Sequence, residues 1–136
     1  MLPAFIMDLI LLIAPQYDVP SMLVVSIIWH ESRGNPYAIN KNNKNGTIDR
    51  GIMQLNSSWF DDPNWHCAET NIRAGISHLK ELYEQTKSTS PYWWAAVVSF
   101  NCGLRWYKQK IKPPEQSIIY ADNIITLWRQ LNDFGY

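Results

Sequence analysis

Two carboxylates in this chain have the setting that acid–base chemistry requires. Glu31 closes the apolar run of SIIWHESRGNPYAIN, residues 26–40, and the chain breaks directly after it at Gly34-Asn35-Pro36. A carboxyl in the last turn of a helix meets the negative end of the helix dipole, and apolar neighbours penalise its charged form. Both effects raise its pKa above the usual value of about 4.3, which would leave a proton available to a leaving oxygen near neutral pH. On position alone, a solvated helix-end glutamate facing Arg33 is the simpler reading. Eighteen residues on, Asp49 lies in GTIDRGIMQLNSSW. Two carboxyls flanking a scissile bond are the usual equipment of glycosidases. An aspartate beside Asn45-Gly46 is equally well read as a turn residue.

The elements that must position these groups follow from periodicity. Asp18 and Pro20 suggest the start of a helix, with Asp18 as its cap. From Met22 to Trp29 nearly every residue is apolar, the pattern of a central buried helix. Residues 37–56 are rich in Asn and Gly, with NKNG as a turn signal, and predict a small hairpin or irregular β-lobe. If that lobe folds back over the helix end, Asp49 can face Glu31. Ile72, Ile76, Leu79 and Tyr83 then mark one face of a helix over about residues 69–87, which STSP breaks. YWWAAVVSFN predicts another apolar helix, RWYKQK a basic exit from it and KPP a loop. Tyr120, Ile124, Leu127 and Leu131 give the face of a last helix. The class is α+β, mostly α, with one β-hairpin lobe after the Glu31 helix. A length of 136 residues suits a single domain spanning 1–136.

Composition excludes several functions. At 46% apolar and 18% charged residues the chain is globular, not disordered. Twelve basic and twelve acidic side chains leave no electrostatic footprint for nucleic acid. The apolar N-terminus carries Asp8, has no Lys or Arg before Arg33, and falls short of the ~20 residues that a bilayer span needs. It reads as a core-packing helix, without a recognisable signal peptide or transmembrane segment, so the chain is either leaderless or already processed. Cys67 and Cys102 do not have metal-site spacing, even with His66 beside Cys67. Residue count leaves free thiols and a disulfide equally open. Trp29, Trp94 and Trp128 fall on apolar faces and are expected in the core, with His30 in a supporting place. The abundance of Trp and Tyr also suits a groove that stacks on sugar rings.

The run ESRGNPYAIN … DRGIMQLN … NIRAG … SFNCG … IIYADNI resembles, in order and spacing over nearly the whole chain, the lytic transglycosylase domain of the soluble (SLT) type. The resemblance implies a lysozyme-like fold and cleavage of peptidoglycan glycan strands between N-acetylmuramic acid and N-acetylglucosamine. It makes Glu31 the single catalytic acid/base, needing neither metal nor cofactor. Gly51, Met53 and Gln54 match the family's Gly-Leu-Met-Gln strand, Asn101 the Asn of Ala-Tyr-Asn-x-Gly, and Tyr120 the tyrosine near the acid. Asn56 and Trp59 follow as sugar contacts. Three departures stand out: Asn40 for a serine, Phe100 for a tyrosine, and a longer linker that carries Asp49. The segment NGTIDRGIMQLNSSWF is instead similar to C-type lysozyme, where the corresponding aspartate is the second catalytic carboxylate. The mixture resembles transglycosylases of type III and type IV secretion systems. With it come a muramidase using Glu31 and Asp49 as the alternative activity, and a non-catalytic glycan-binding module as the third. A lysozyme-like pairing of Cys67 with Cys102 also follows only from the resemblance. The implied setting is the bacterial cell wall, periplasmic or extracellular, for a monomer with a secretion-system or phage assembly partner.

Overall fold

The computed structural model describes residues 1–90 and 92–133. The chain divides into two compact units, Met1–Ile76 and Ser77–Tyr136.

The first unit begins with α1 (Ala4–Ile13), whose Ile6, Ile10 and Ile13 recur at helical spacing and are fully buried. Its outward face keeps Phe5, Leu11 and Leu12 largely exposed, so only one side of this apolar helix packs. A 3-10 turn (Ala14–Tyr17) follows. Asp18 does not cap the next helix as the sequence suggested. It closes this turn in the left-handed region (φ 55°), donating its backbone N–H to Ala14 and Pro15. Pro20 takes the capping position of α2 (Ser21–Ser32), with no side-chain cap.

Helix α2 is buried on all sides from Met22 to Ile28. The single polar side chain in that run, Ser26, bonds back to the Met22 carbonyl at 2.8 Å, which removes the cost of its hydroxyl. Arg33 ends the helix in the left-handed conformation (φ 56°), and Gly34 continues it at φ 87°. A non-glycine in that region costs about 1–2 kcal/mol. The Arg33 guanidinium lies 4.4 Å from the centre of the Trp29 ring, a compensating cation–π contact. Trp29 is therefore half-buried under that cation and is not a core residue.

The predicted lobe is a three-stranded antiparallel sheet of minimal strands, β1 (Ile39–Asn40), β2 (Asp49–Arg50) and β3 (Leu55–Asn56), in that order. Its register pairs Asn40 with Asp49 and Asp49 with Asn56, placing three polar side chains in one row across the sheet. The turn from β2 to β3 is held from below by α3 (Ala68–Thr86). The fully buried carboxamide of Asn71 accepts from Met53 N at 2.9 Å and donates to the carbonyls of Arg50 and Trp65, both at 3.1 Å. Gly51 has φ 84°, and a Cβ there would lie 2.7 Å from the Trp65 carbonyl oxygen and collide with the Asn71 carboxamide.

In the second unit, the last turns of α3 bury Leu79 and Leu82, and Tyr83 stacks on Trp93 at 3.9 Å and 13°. Helix α4 (Trp94–Cys102) is buried from Ala95 to Ser99 and ends at Gly103 (φ 86°). The basic exit forms a single helical turn, α5 (Arg105–Lys108). Helix α6 (Glu115–Asp133) packs against α4, burying Ser117, Tyr120, Ala121, Ile124, Ile125, Trp128 and Leu131. Trp128 is a core residue, as the apolar face implied, whereas Trp94 is half-buried and its indole N–H reaches Asp122 at 2.9 Å. Pro91, the end of the STSP breaker, lies outside the described residues. The α+β, mostly helical class read from the sequence is the observed one. Among the described residues no helix is long and apolar enough to cross a membrane.

Asn71→Ala removes three hydrogen bonds, one buried and two part-buried, and leaves one N–H and two carbonyls without that partner. The expected loss of stability is about 3 kcal/mol or more, read as a lower denaturant midpoint at unchanged slope. A loss below about 1 kcal/mol would show that water or backbone shifts replace the carboxamide.

Candidate active site

Glu31 sits in the last turn of α2, half-buried, at the end of the buried run that starts at Met22. Its neighbour Ser32 donates its hydroxyl to the Ile52 carbonyl at 2.7 Å and accepts the Gly34 N–H at 3.2 Å. One side chain thus bolts the end of the helix to the turn between β2 and β3. The lobe does fold back on the helix end. On the other side of Glu31, partial burial of the ring, and then the Arg33 charge, hold the His30 imidazole below its ordinary pKa. Near neutral pH His30 is therefore uncharged beside Glu31.

Asp49 occupies the central strand of the lobe and is surrounded by amides. Asn56 Nδ2 donates to Oδ1 at 2.8 Å, while Asn43 Nδ2 and Asn40 Nδ2 donate to Oδ2 at 3.1 Å and 3.4 Å. A second ring supports the first. Thr47 Oγ1 accepts from Asn56 at 2.8 Å and donates to Asn45 Oδ1 at 2.6 Å, and Asn43 also reaches the Thr47 carbonyl at 3.2 Å. Both carboxylate oxygens are consequently oriented by neutral donors fixed to the two flanking strands and the loop between β1 and β2. Asn40, Asn43 and Thr47 went unremarked as site residues in the sequence. The signal available was the density of Asn in INKNNKNGT directly before an Asp, which also describes an ordinary polar turn.

The expected sugar contacts divide by what their atoms are free to do. Gln54 stands at φ 54° and donates to the Ala38 and Gly51 carbonyls at 2.9 Å and 3.0 Å. Its amide hydrogens are thus committed to the lobe, and its carbonyl oxygen is the group it can present. Asn56 serves Asp49 and Thr47 with its amide and Ser58 N with its oxygen, so it belongs to the cradle of Asp49 more than to a sugar. Met53 is fully buried, with its sulfur against Gly75, where a Cβ would have to displace the thioether. It packs the turn and has no surface to offer, as does Gly51, whose part is conformational. Trp59 is 44% exposed and tilted against Phe60.

In the second unit, exposed Asn101 accepts the Ser117 hydroxyl at 2.7 Å, which fixes its carboxamide and turns the amide hydrogens outward. Tyr120, one helical turn along α6 from Ser117, is only 6% exposed.

The pairing of Cys67 with Cys102 is not observed: both are free and exposed. Each thiol has local partners instead. Cys67 precedes α3, and hydrogen bonds from the Thr70 side chain and backbone hold its pKa below the ordinary thiol value. Cys102 ends α4, and although the residue is exposed, partial burial of its thiol pushes its pKa up. The thiolate is the nucleophile, so at pH 7.5 Cys67 should alkylate faster than Cys102. Peptide mapping after timed iodoacetamide treatment would reveal the order, and equal rates would refute it.

The family model for the transglycosylase SLT domain matches residues 8–124. No curated protein and no solved structure matches the chain. The matched span runs from within α1 to within α6, and so takes in Glu31, the lobe, Asn101 and Tyr120. At the family level this means a lysozyme-like α+β fold and peptidoglycan lytic transglycosylase activity at the cell wall. With most of its length inside that match, the chain belongs to the transglycosylase SLT domain family.

Proposed function

We propose that this protein cleaves the β-1,4 bond between N-acetylmuramic acid and N-acetylglucosamine and leaves 1,6-anhydromuramyl ends, with Glu31 as the single acid/base. The observation that carries the reading is the setting of Glu31, at the end of a buried helix that Ser32 fixes to the lobe at Ile52, inside the family match. Protonated Glu31 gives its proton to the glycosidic oxygen as the C1–O bond breaks. The glutamate then takes the proton of the muramyl 6-hydroxyl, O6 bonds to C1, and the acid is regenerated. Water is not consumed. In this reading residues 1–136 act as one catalytic domain and as a monomer. Gln54 and Trp59 of the first unit, and Asn101 and Tyr120 of the second, are each assigned contacts to the glycan, and a secretion machine or a phage particle delivers the protein to the wall.

Asp49 favours a second reading. A carboxylate held on both oxygens by Asn40, Asn43 and Asn56 is built to stay in one orientation. Facing the sugar C1, it would stabilise the oxocarbenium-like centre and could admit water in place of the 6-hydroxyl, which is muramidase chemistry. A glycan-binding module without turnover is the least supported reading, because Glu31 is retained.

Digestion of purified sacculi, with the muropeptides weighed by mass spectrometry, separates the readings. Anhydro ends, lighter by one water than reducing ends, are expected. Reducing ends would replace the transglycosylase with the muramidase, and binding without release would leave only the module. Glu31→Gln should lower turnover by about 10²–10⁴-fold with folding and sacculus binding retained, as befits loss of a general acid. An active Glu31→Gln variant would remove Glu31 from the acid role. Asp49→Asn keeps the shape of the cradle but loses the charge. A drop of tenfold or more would mark Asp49 as part of the chemistry, and a smaller one would confine it to holding the lobe.

A further inference from the structure

The basic exit from α4 has no part in the glycosidic chemistry. RWYKQKIK, residues 105–112, holds four of the chain's twelve basic residues and no acidic one, so the zero net charge of the whole chain conceals a local excess. Arg105, Lys108, Lys110 and Lys112 are all exposed. Among the described residues only Lys112 has an ion-pair partner, Glu115 at 3.4 Å, and both side chains are so exposed that the pair is screened and weak. Lysines elsewhere in the same unit are answered differently: Lys80 and Lys87 both hold Glu84.

These cations stand on a fixed platform. The Trp106 indole N–H donates to Ser99 Oγ at 3.1 Å, and its ring meets Trp94 edge-on at 6.2 Å. The Tyr107 hydroxyl shares a hydrogen bond with Thr89 Oγ1. Lys110, in the left-handed region at φ 56°, turns the chain back, and Ile111 N bonds to the Trp106 carbonyl at 3.0 Å. Arg105 and Lys108, three apart on one helical turn, are neighbours. Arg105, Trp106, Ile111 and Lys112 line a single concavity of about 280 Å³ with Pro114. Ile111 is 54% exposed in the midst of these charges. A lone exposed isoleucine needs no explanation. One set on a rigid turn among four cations, beside an indole, has the composition of a segment that lies at a membrane–water interface.

We propose that residues 105–112 dock this protein on an anionic phospholipid surface, with Ile111 entering the boundary between headgroups and acyl chains and the four cations among the lipid phosphates. Charge complementarity selects the partner. Cations that no carboxylate of the chain neutralises answer a negative surface, and their long stems keep the charged heads at the phosphates while the methylenes cover apolar ground. A soluble phosphate polymer would satisfy the cations but leave Ile111 in water. An apolar groove on a protein would bury Ile111 but strand the cations. An anionic bilayer surface satisfies both, and needs no spanning helix. The concavity adds a seat for one headgroup phosphate between Arg105 and Lys112, above the Trp106 and Pro114 wall. The docking stands or falls apart from the glycosidic reading, since all of its residues lie in the second unit and none is assigned to the glycan.

The test is flotation of the whole protein with vesicles, either pure phosphatidylcholine or phosphatidylcholine carrying one-third phosphatidylglycerol. Binding is expected to the anionic vesicles alone, and it should fall as salt rises from about 0.05 M to about 0.5 M. Each cation at an anionic surface contributes about fivefold to the partition, so Arg105→Gln/Lys108→Gln should weaken it about 25-fold. Ile111→Ser should weaken it about fivefold, because roughly half of an isoleucine's surface is left to bury. Near-UV circular dichroism checks that each variant is folded, and if the double variant is not, Lys108→Gln alone should still cost about fivefold. Equal binding to both kinds of vesicle, or to neither, would overturn the proposal. Undiminished binding by the charge variants would assign the contact to another face of the molecule and overturn it too. A polyglycerol-phosphate polymer bound as tightly as the anionic vesicles, with Ile111→Ser without effect, would replace the lipid surface with a soluble polyanion. Sacculus digestion reads glycan cleavage separately, so loss of vesicle binding leaves the enzymatic reading intact, and vesicle binding by a protein that cuts no glycan leaves the docking intact.

Discussion

The lobe depends on one buried carboxamide. Strands of two residues cannot hold themselves together, since each contributes few ladder bonds and almost no apolar face. Asn71 supplies from outside the sheet what the strands lack, tying the Arg50 carbonyl, the Met53 N–H and the Trp65 carbonyl to helix α3. Because the carboxamide approaches the backbone closely, a Cβ at residue 51 would collide with it, and one at residue 75 would have to displace the thioether of Met53. A polar side chain with zero exposure thus pins the backbone at Arg50, Met53 and Trp65.

From that fixed turn, order passes in two directions. Through Ile52 it reaches Ser32 and the end of α2, which holds Glu31 in place. Through β2 and β3 it reaches the row of Asn40, Asp49 and Asn56, where the sheet register itself brings amide donors to both sides of a carboxylate. The two acidic groups therefore share a foundation without sharing a local environment. Glu31 stands at the end of an apolar helix next to an uncharged imidazole, whereas Asp49 lies in a web of neutral dipoles.

Much of this was legible in the sequence, and the limits have physical causes. Helices α2, α3, α4 and α6 announced themselves through apolar periodicity, and Gly34 and Pro36 marked the end of α2 correctly. Asp18 misled because an Asp before a Pro reads as a cap, yet the same short side chain also tolerates the left-handed conformation it adopts. Trp29 and Trp94 were placed in the core because the apolar pattern cannot reveal a cation stacked on a ring or a carboxylate waiting for an indole N–H. The Asn cradle stayed hidden for a related reason. An asparagine in a loop looks the same whether its amide faces water or a carboxylate, and only the strand register decides. Met53 and Gly51 drew attention as motif residues, but their positions are set by packing and backbone conformation.

Cys67 stands in the first unit and Cys102 in the second, and each thiol answers to its own surroundings. Hydrogen bonds from Thr70 act on one and burial at the end of α4 on the other, in opposite directions. The two sulfurs therefore serve as separate reporters, each reading the local order of its own half of the chain.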